Sequence, residues 1–270
     1  MRADEYAFFE PPFIAFAHRG GAMYSPNLGR ENSLHAFTEA VALGYRYLET
    51  DVHATADGVL IAFHDTKLDR VTDRRGAIAK LTYEKVSRAK IHGIDDIPRF
   101  EDLLTSFPDA RFNVDAKSAD SVDLLADLII AHEAQDRVCV NSFGIRRLHR
   151  LRKRLGSKVA SGASALAIAV YRFAPQLTKI VNTDAPVLQI PMEKKILGVR
   201  LRVLTPALVQ AAHNSGKLVH IWTIDDPTTM TELIDAGVDG IFTDRIDILK
   251  DLLEQRGSWS SISRSAPNEQ

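Results

Sequence analysis

The chain carries a single cysteine, Cys139, among its 270 residues. No internal disulfide can form, and no Cys/Cys or Cys/His zinc box is present. Cys139 lies in the apolar run Val138-Cys139-Val140, which reads as a buried strand and makes it a structural thiol rather than a nucleophile. Long hydrophobic runs are equally scarce. No stretch approaches the ~20 apolar residues that span a bilayer. The run 13–17 is too short for a secretory h-region, and Asp4, Glu5 and Glu10 precede it. The expectation is a cytoplasmic protein without an integral membrane segment. Net charge is lacking too: 34 Lys+Arg against 35 Asp+Glu leave −1. That removes any global attraction to a nucleic-acid backbone or an acidic membrane, so no nucleic-acid partner is expected, and it leaves only a local basic patch as a route to polyanions. With 45% hydrophobic and 26% charged residues, collagen-like and wholly disordered classes are excluded. No repeat of fixed period is evident, and nothing signals an oligomeric state.

What the sequence does contain is alternation. Short apolar runs at 13–17, 45–52, 59–63, 111–115, 138–141, 159–160, 187–190, 218–223 and 240–242 read as strands. Between them lie helical patterns, among them 33–43, 119–132, 207–214 and 228–235. Asn32 or Ser33 caps the first, and Pro206 and Pro227 open the last two. Repeated β-then-α units imply a parallel sheet. Eight units fit if 59–63 is an excursion, which predicts an α/β fold of the TIM (β/α)8 type with an insertion at about 53–98, after the second barrel strand. A doubly wound sheet competes, but no Gly-rich dinucleotide fingerprint follows the first strand. One domain is expected over 1–256, with the Ser-rich 257–270 as a flexible tail.

Barrels gather function at the carboxyl ends of their strands, and unusual polar residues fall there. The first strand runs into His18-Arg19. The second ends with Glu49, Asp51 and His53, the excursion strand with His64-Asp65, and the third with Asp115 and Lys117. Asn141, Gln189 and Trp222 end later strands. Glu49 and Asp51 share a strand face, and Asp115 ends the neighbouring strand. Three such carboxylates either hold a hard divalent cation, Mg2+ or Ca2+, or pair with Arg19 and Lys117 as a charge network. His18 and His64 can flank a phosphate as proton donor and acceptor. Arg19 and Lys117 offer it positive charge, and Trp222 is either an apolar wall for a ligand or a core residue. His220 lies mid-strand and reads as structural, whereas His53 shares parity with Glu49 and Asp51.

Several segments together resemble the glycerophosphodiester phosphodiesterase family. They are His18-Arg19-Gly20, Glu31-Asn32-Ser33, the run 47–52 with Glu49 and Asp51, Thr55-Ala56-Asp57-Gly58 and Phe63-His64-Asp65. Asn113-Val114-Asp115-Ala116-Lys117, Ile221-Trp222-Thr223 and the run 237–245 complete the set. The resemblance spans about 13–250 and implies a TIM barrel with a small insertion. It also implies metal-assisted hydrolysis of a small-molecule glycerophosphodiester to glycerol 3-phosphate and an alcohol. Carried over, His18 and His64 are the general acid/base pair. Glu49, Asp51 and Asp115 are ligands of one divalent cation, Mg2+ or Ca2+. Arg19 and Lys117 contact phosphate, Glu31 supports the metal and glycerol, and Trp222 is a substrate wall. Asp115 stands where the family generally has Glu, and Arg30-Glu31-Asn32-Ser33 replaces the common Pro-Glu-Asn-Thr. Two other readings remain: a lysophospholipase D-type hydrolase with the same machinery, and a non-catalytic barrel that binds a phosphorylated ligand.

Overall fold

A computed structural model describes residues 1–10, 13–179, 183–196 and 198–259. Eight parallel strands form the barrel: β1 Ile14–His18, β2 Tyr47–Ala54, β3 Arg111–Ala116, β4 Val138–Asn141, β5 Ala160–Ser161, β6 Val187–Ile190, β7 Leu218–Ile221 and β8 Gly240–Thr243. Each pairs with its sequence neighbour from β1 to β5 and from β6 to β8, and β8 returns to β1. Between β5 and β6 the ring closes through a single parallel bridge, Gly162 to Val187. A Cβ at Gly162 would collide with Asn141 Oδ1 of β4, so the absence of a side chain there leaves room for Asn141 in the lumen.

Helices follow the strands as expected of right-handed crossovers: α1 Leu34–Ala42, α2 Phe100–Ser106, α3 Ser121–Ala131, α4 Ile145–Leu155, α5 Ala165–Phe173, α6 Pro206–Asn214, α7 Pro227–Asp235 and α8 Ile246–Gln255. The capping signals act as read: Ser33, Thr205 and Asp226 each accept a backbone N–H of the following first turn.

Strand alternation sorts the interior into two cores. Ala15, Ala17, Leu48, Val52, Val114, Val140, Leu188 and Ile241 pack outward against the helices. Their alternates Phe16, Tyr47, Cys139, Val187 and Phe242 fill the lumen. One step further along the same inward-facing series come His18, Glu49, Asn141, Gln189 and Asp244. The lumen is therefore apolar at its amino end and polar at its carboxyl end. At the apolar end the first residues act as a stopper, which the sequence reading did not anticipate. Phe8 meets Tyr47 edge-on at 5.4 Å and Phe9 meets His220 at 5.9 Å. The Tyr47 hydroxyl donates to the Phe8 carbonyl at 2.8 Å.

The insertion runs from Thr55 to Arg99 instead of starting at 53, because β2 is prolonged by antiparallel pairing of Val52, His53 and Ala54 with the excursion strand Leu60–Ala62. It has its own small core of Ile61, Phe63, Leu68, Ile78, Val86 and Ile91. Two further departures stand out. An antiparallel ribbon, Glu193–Ile196 with Val199–Arg202, follows β6 where no strands were expected. The start of the expected flexible tail is packed: Trp259 meets Tyr45 at 5.0 Å, and its N–H bonds the Leu253 carbonyl. A large indole gains more from covering Tyr45 than from solvent. The rest of that stretch, 260–270, lies outside the described residues.

Candidate active site

Parallel register brings His18 beside Glu49 and Asp51 beside Asp115. The three carboxylates are 6%, 2% and 6% exposed, and charges held so far from water need partners. Lys117, just past β3, places Nζ 2.8 Å from Asp51 Oδ1 and 2.7 Å from Asp115 Oδ2. Arg19 Nε lies 3.5 Å from Asp51 Oδ2, and its Nη1 donates to Glu31 Oε1 at 3.1 Å. Arg19 can reach both because the chain turns sharply: its φ is 52° and that of Gly20 is 85°. A side chain on Gly20 would strike Ala36 of α1. The turn also aims the Arg19 N–H at Glu49 Oε2, 3.2 Å away.

The compensation is incomplete. Burial, reinforced by the Asp51 carboxylate, pushes Glu49 up to about 7, and burial raises Asp115 against the pull of Lys117. Asp51 Oδ2 and Asp115 Oδ1 are buried without a hydrogen-bond partner. Surplus negative charge with orphaned oxygens is the donor chemistry that suits a hard cation. Among the described residues, however, no three His, Cys, Asp or Glu groups are gathered as a ready-made metal site; the Lys117 ammonium spans Asp51 and Asp115 instead. The donors fit a Mg2+ or Ca2+ ion, and Lys117 would have to yield part of its place.

Each candidate histidine is held by a carboxylate. His18 Nδ1 lies 2.8 Å from Asp244 Oδ1, and His64 Nδ1 lies 2.7 Å from Asp65 Oδ1. Arg70 holds Asp65 down at about 2, so Asp65 is an ionised acceptor and His64 Nδ1 carries the proton. For His18, burial opposes the charged form, but Glu49 and Asp244 prevail and raise its pKa. Its Nε2 faces Glu49 Oε2 at 3.7 Å. His53, on the inward face of β2, directs Nε2 to the His64 carbonyl at 3.1 Å and so anchors that residue's backbone.

Trp222 lines the mouth: its ring meets Phe143 edge-on at 5.8 Å, and Lys117 Nζ lies 5.4 Å from the Phe143 centroid. Deeper in the lumen, Asn113 Oδ1 accepts from Asn141 Nδ2 at 3.0 Å and from Gln189 Nε2 at 2.7 Å. Cys139, fully buried, is pushed up to about 12 by burial, in keeping with a structural thiol. Two clefts of about 430 and 420 Å3 lie elsewhere, lined by groups such as Asp120 and Arg150 or Arg74 and Arg88. The site is marked by its buried charges.

Sequence reasoning missed Arg70. From the insertion it forks onto Asp65 and Glu31, with Nη2 2.7 Å from Glu31 Oε1 and Nε 2.7 Å from Asp65 Oδ2. No spacing rule relates position 31, ahead of α1, to positions 65 and 70 in the insertion. Asp244 lay inside a recognised motif without a role, and only the β8–β1 pairing shows what it holds.

Comparison with other proteins agrees with this geometry. A profile of the "Glycerophosphoryl diester phosphodiesterase family" matches residues 18–248. The chain is 39% identical over 251 residues to a Mycobacterium tuberculosis protein named "Probable glycerophosphodiester phosphodiesterase 2", covering 91% of this chain and 92% of that one. It is 26% identical to a Caldanaerobacter subterraneus glycerophosphodiester phosphodiesterase, over 90% of this chain and 99% of that one. Among solved structures, glycerophosphodiester phosphodiesterases from Parabacteroides distasonis and Agrobacterium tumefaciens share the fold. Their TM-scores are 0.74 and 0.73 at 24% and 21% identity, covering 92% and 90% of this chain and 100% of each of theirs. Two histidine–aspartate pairs beside three buried carboxylates at the carboxyl mouth of a barrel, with a profile match reaching from His18 to the last helix, give the same answer: the chain belongs to the glycerophosphoryl diester phosphodiesterase family.

Proposed function

We propose that this enzyme hydrolyses small glycerophosphodiesters to glycerol 3-phosphate and an alcohol, with His18 and His64 as the proton-transferring pair and one divalent cation as cofactor. The observation that carries this reading is the pairing of each histidine with an aspartate through Nδ1. It leaves each Nε2 to exchange a proton, one with the attacking oxygen and the other with the departing alkoxide. The attacking oxygen belongs to water or to the neighbouring glycerol hydroxyl, which would pass through a cyclic phosphate. Glu49, Asp51 and Asp115 would hold one Mg2+ or Ca2+, which when bound supplies positive charge to a phosphodiester oxygen. Arg19 and Lys117 bind the phosphate and offset the charge that builds on it. Glu31 orients Arg19, and Trp222 bounds the glycerol side.

The test is release of glycerol 3-phosphate from a panel of glycerophosphodiesters with choline, ethanolamine or glycerol headgroups, before and after EDTA. Product from at least one, lost with EDTA and restored by Mg2+ or Ca2+, is expected. Absence of product from every diester overturns the reading. The exposed Phe143 ring beside Trp222 favours a second reading, a lysophospholipase D-type reaction, because an acyl chain needs an apolar lip. Lysophosphatidylcholine in the same panel separates the two. A non-catalytic binding barrel has less support, since both histidine–aspartate pairs are complete.

A further inference from the structure

Among the described residues the most exposed large apolar side chains are Phe143 at 69%, Val199 at 69% and Leu166 at 68%. All three lie just beyond the carboxyl ends of consecutive strands: Phe143 on the connection from β4 to α4, Leu166 in the first turn of α5 after β5, and Val199 on the ribbon after β6. That is the rim around the site, whereas apolar groups scattered singly over a surface would need no explanation.

The ribbon adds charge. Its sequence from 193 to 202 holds Lys194, Lys195, Arg200 and Arg202 against one carboxylate, Glu193. Glu193 is paired across the ribbon with Arg202, but Lys195 stands directly opposite Arg200. Like charges facing each other across two strands weaken the pairing, and an external anionic surface removes that penalty. The ribbon's outer end carries the exposed Val199 just beyond this cationic pair. On α4, which starts from the same rim, Arg146 is exposed as well. An apolar tip backed by cations matches the layering of a bilayer interface, with hydrocarbon inside and phosphate outside. A nucleic-acid backbone would use the cations and leave Val199, Leu166 and Phe143 in water. No helix among the described residues is long and apolar enough to cross a membrane, so the contact would be peripheral.

We infer that the rim formed by the 193–202 ribbon and the β4 and β5 connections docks on an anionic lipid surface, turning the mouth of the barrel toward it. This goes beyond the proposed activity, since it concerns where the enzyme works and can be measured without turnover.

The experiment is co-sedimentation of the full chain with phosphatidylcholine vesicles, with and without phosphatidylglycerol, at low and physiological salt. Binding only to the anionic vesicles, weakening with salt, is expected. Each cation near such a surface is worth about fivefold in partitioning, so a K194E/K195E/R200E variant should bind at least ~100-fold more weakly. Val199→Asp should also weaken binding, at either salt concentration. Both variants should keep the wild-type melting temperature and the wild-type rate on a soluble glycerophosphodiester. Equal binding to neutral and anionic vesicles, no binding at all, or unchanged binding by the triple variant overturns the inference. So does retention on single-stranded RNA without retention on vesicles. Wild-type vesicle binding with no turnover of any diester would leave docking standing and defeat the proposed reaction instead.

Discussion

Each histidine of the proposed acid/base pair is tied through Nδ1 to a carboxylate, and this decides what its other nitrogen can do. Replacing either ring removes a proton carrier, so His18→Ala and His64→Ala should each lower kcat/KM by about 10²–10⁴-fold; a loss under about tenfold in both would exclude the assigned role. Asp244→Asn is the subtler variant. The Asp244 carboxylate helps hold His18 above its ordinary pKa despite burial. Without that charge the protonated ring loses an ion-pair partner, and the limb of the pH–rate profile due to His18 should move to lower pH. A profile of unchanged shape would show that Asp244 does not act through His18. His18 and His64 could be picked out in the sequence because each ends a strand beside other polar residues. Asp65 follows His64 directly in the chain, but the partner of His18 could not be picked out, since Asp244 is 226 positions away.

At the level of elements, the insertion is clamped to the β1–α1 connection by two forked arginine–carboxylate pairs. Arg70 reaches back to Glu31, and Arg30 reaches out to Asp95, with Nη2 2.6 Å from Oδ1. Arg70 also grips Asp65, the partner of His64, so the position of the His64 ring depends on this clamp. Arg70→Ala should cost at least about tenfold in kcat/KM through misplacement of His64. Because Arg70 is half exposed, its pairs are screened, and the same change should cost stability no more than ~1 kcal/mol. Arg70→Lys should rescue little, since a point charge cannot fork between two carboxylates. Full activity in Arg70→Ala would show that the insertion is positioned by its own core. Strand and helix positions in the barrel were legible from alternation, Pro starts and polar caps. The 193–202 ribbon was not, because its turn interrupts the alternation and both of its strands are largely solvent-exposed.

For the whole molecule, the amino-terminal stopper and the lumen together enclose His220, which is fully buried, has no hydrogen-bond partner on either ring nitrogen and packs near Phe9, Phe16 and Phe242. Burial pulls its pKa down to about 3. The unfolded ring titrates near 6.5, so between these values the unfolded state binds a proton that the folded state refuses. Stability from this group is complete above about pH 6.5 and falls as pH drops toward about 3. Between pH 7 and 5 the loss should be about 2 kcal/mol. A His220→Leu variant should lack this component, which denaturant unfolding at the two pH values will measure. An equal pH dependence in variant and wild type would mean that the ring is protonated or hydrated inside the fold.

The amino-acid order alone determined the alternating elements, the barrel class and the identity of the chemical groups at the strand ends, because these depend on periodicities of two and 3.6 and on local capping. Whether the carboxylates met a cation or one another, which aspartate held which histidine, and what closed the bottom of the barrel were decided only by tertiary structure. Most of those contacts join distant residues, from Asp51 and Lys117, 66 positions apart, to His18 and Asp244, 226 apart, and their energies depend on distance and burial, which spacing along a chain does not encode. The single cysteine and the near-zero net charge excluded whole classes of protein, but the separation of buried anions in the site from cations on its rim emerged only when the strands closed into a ring.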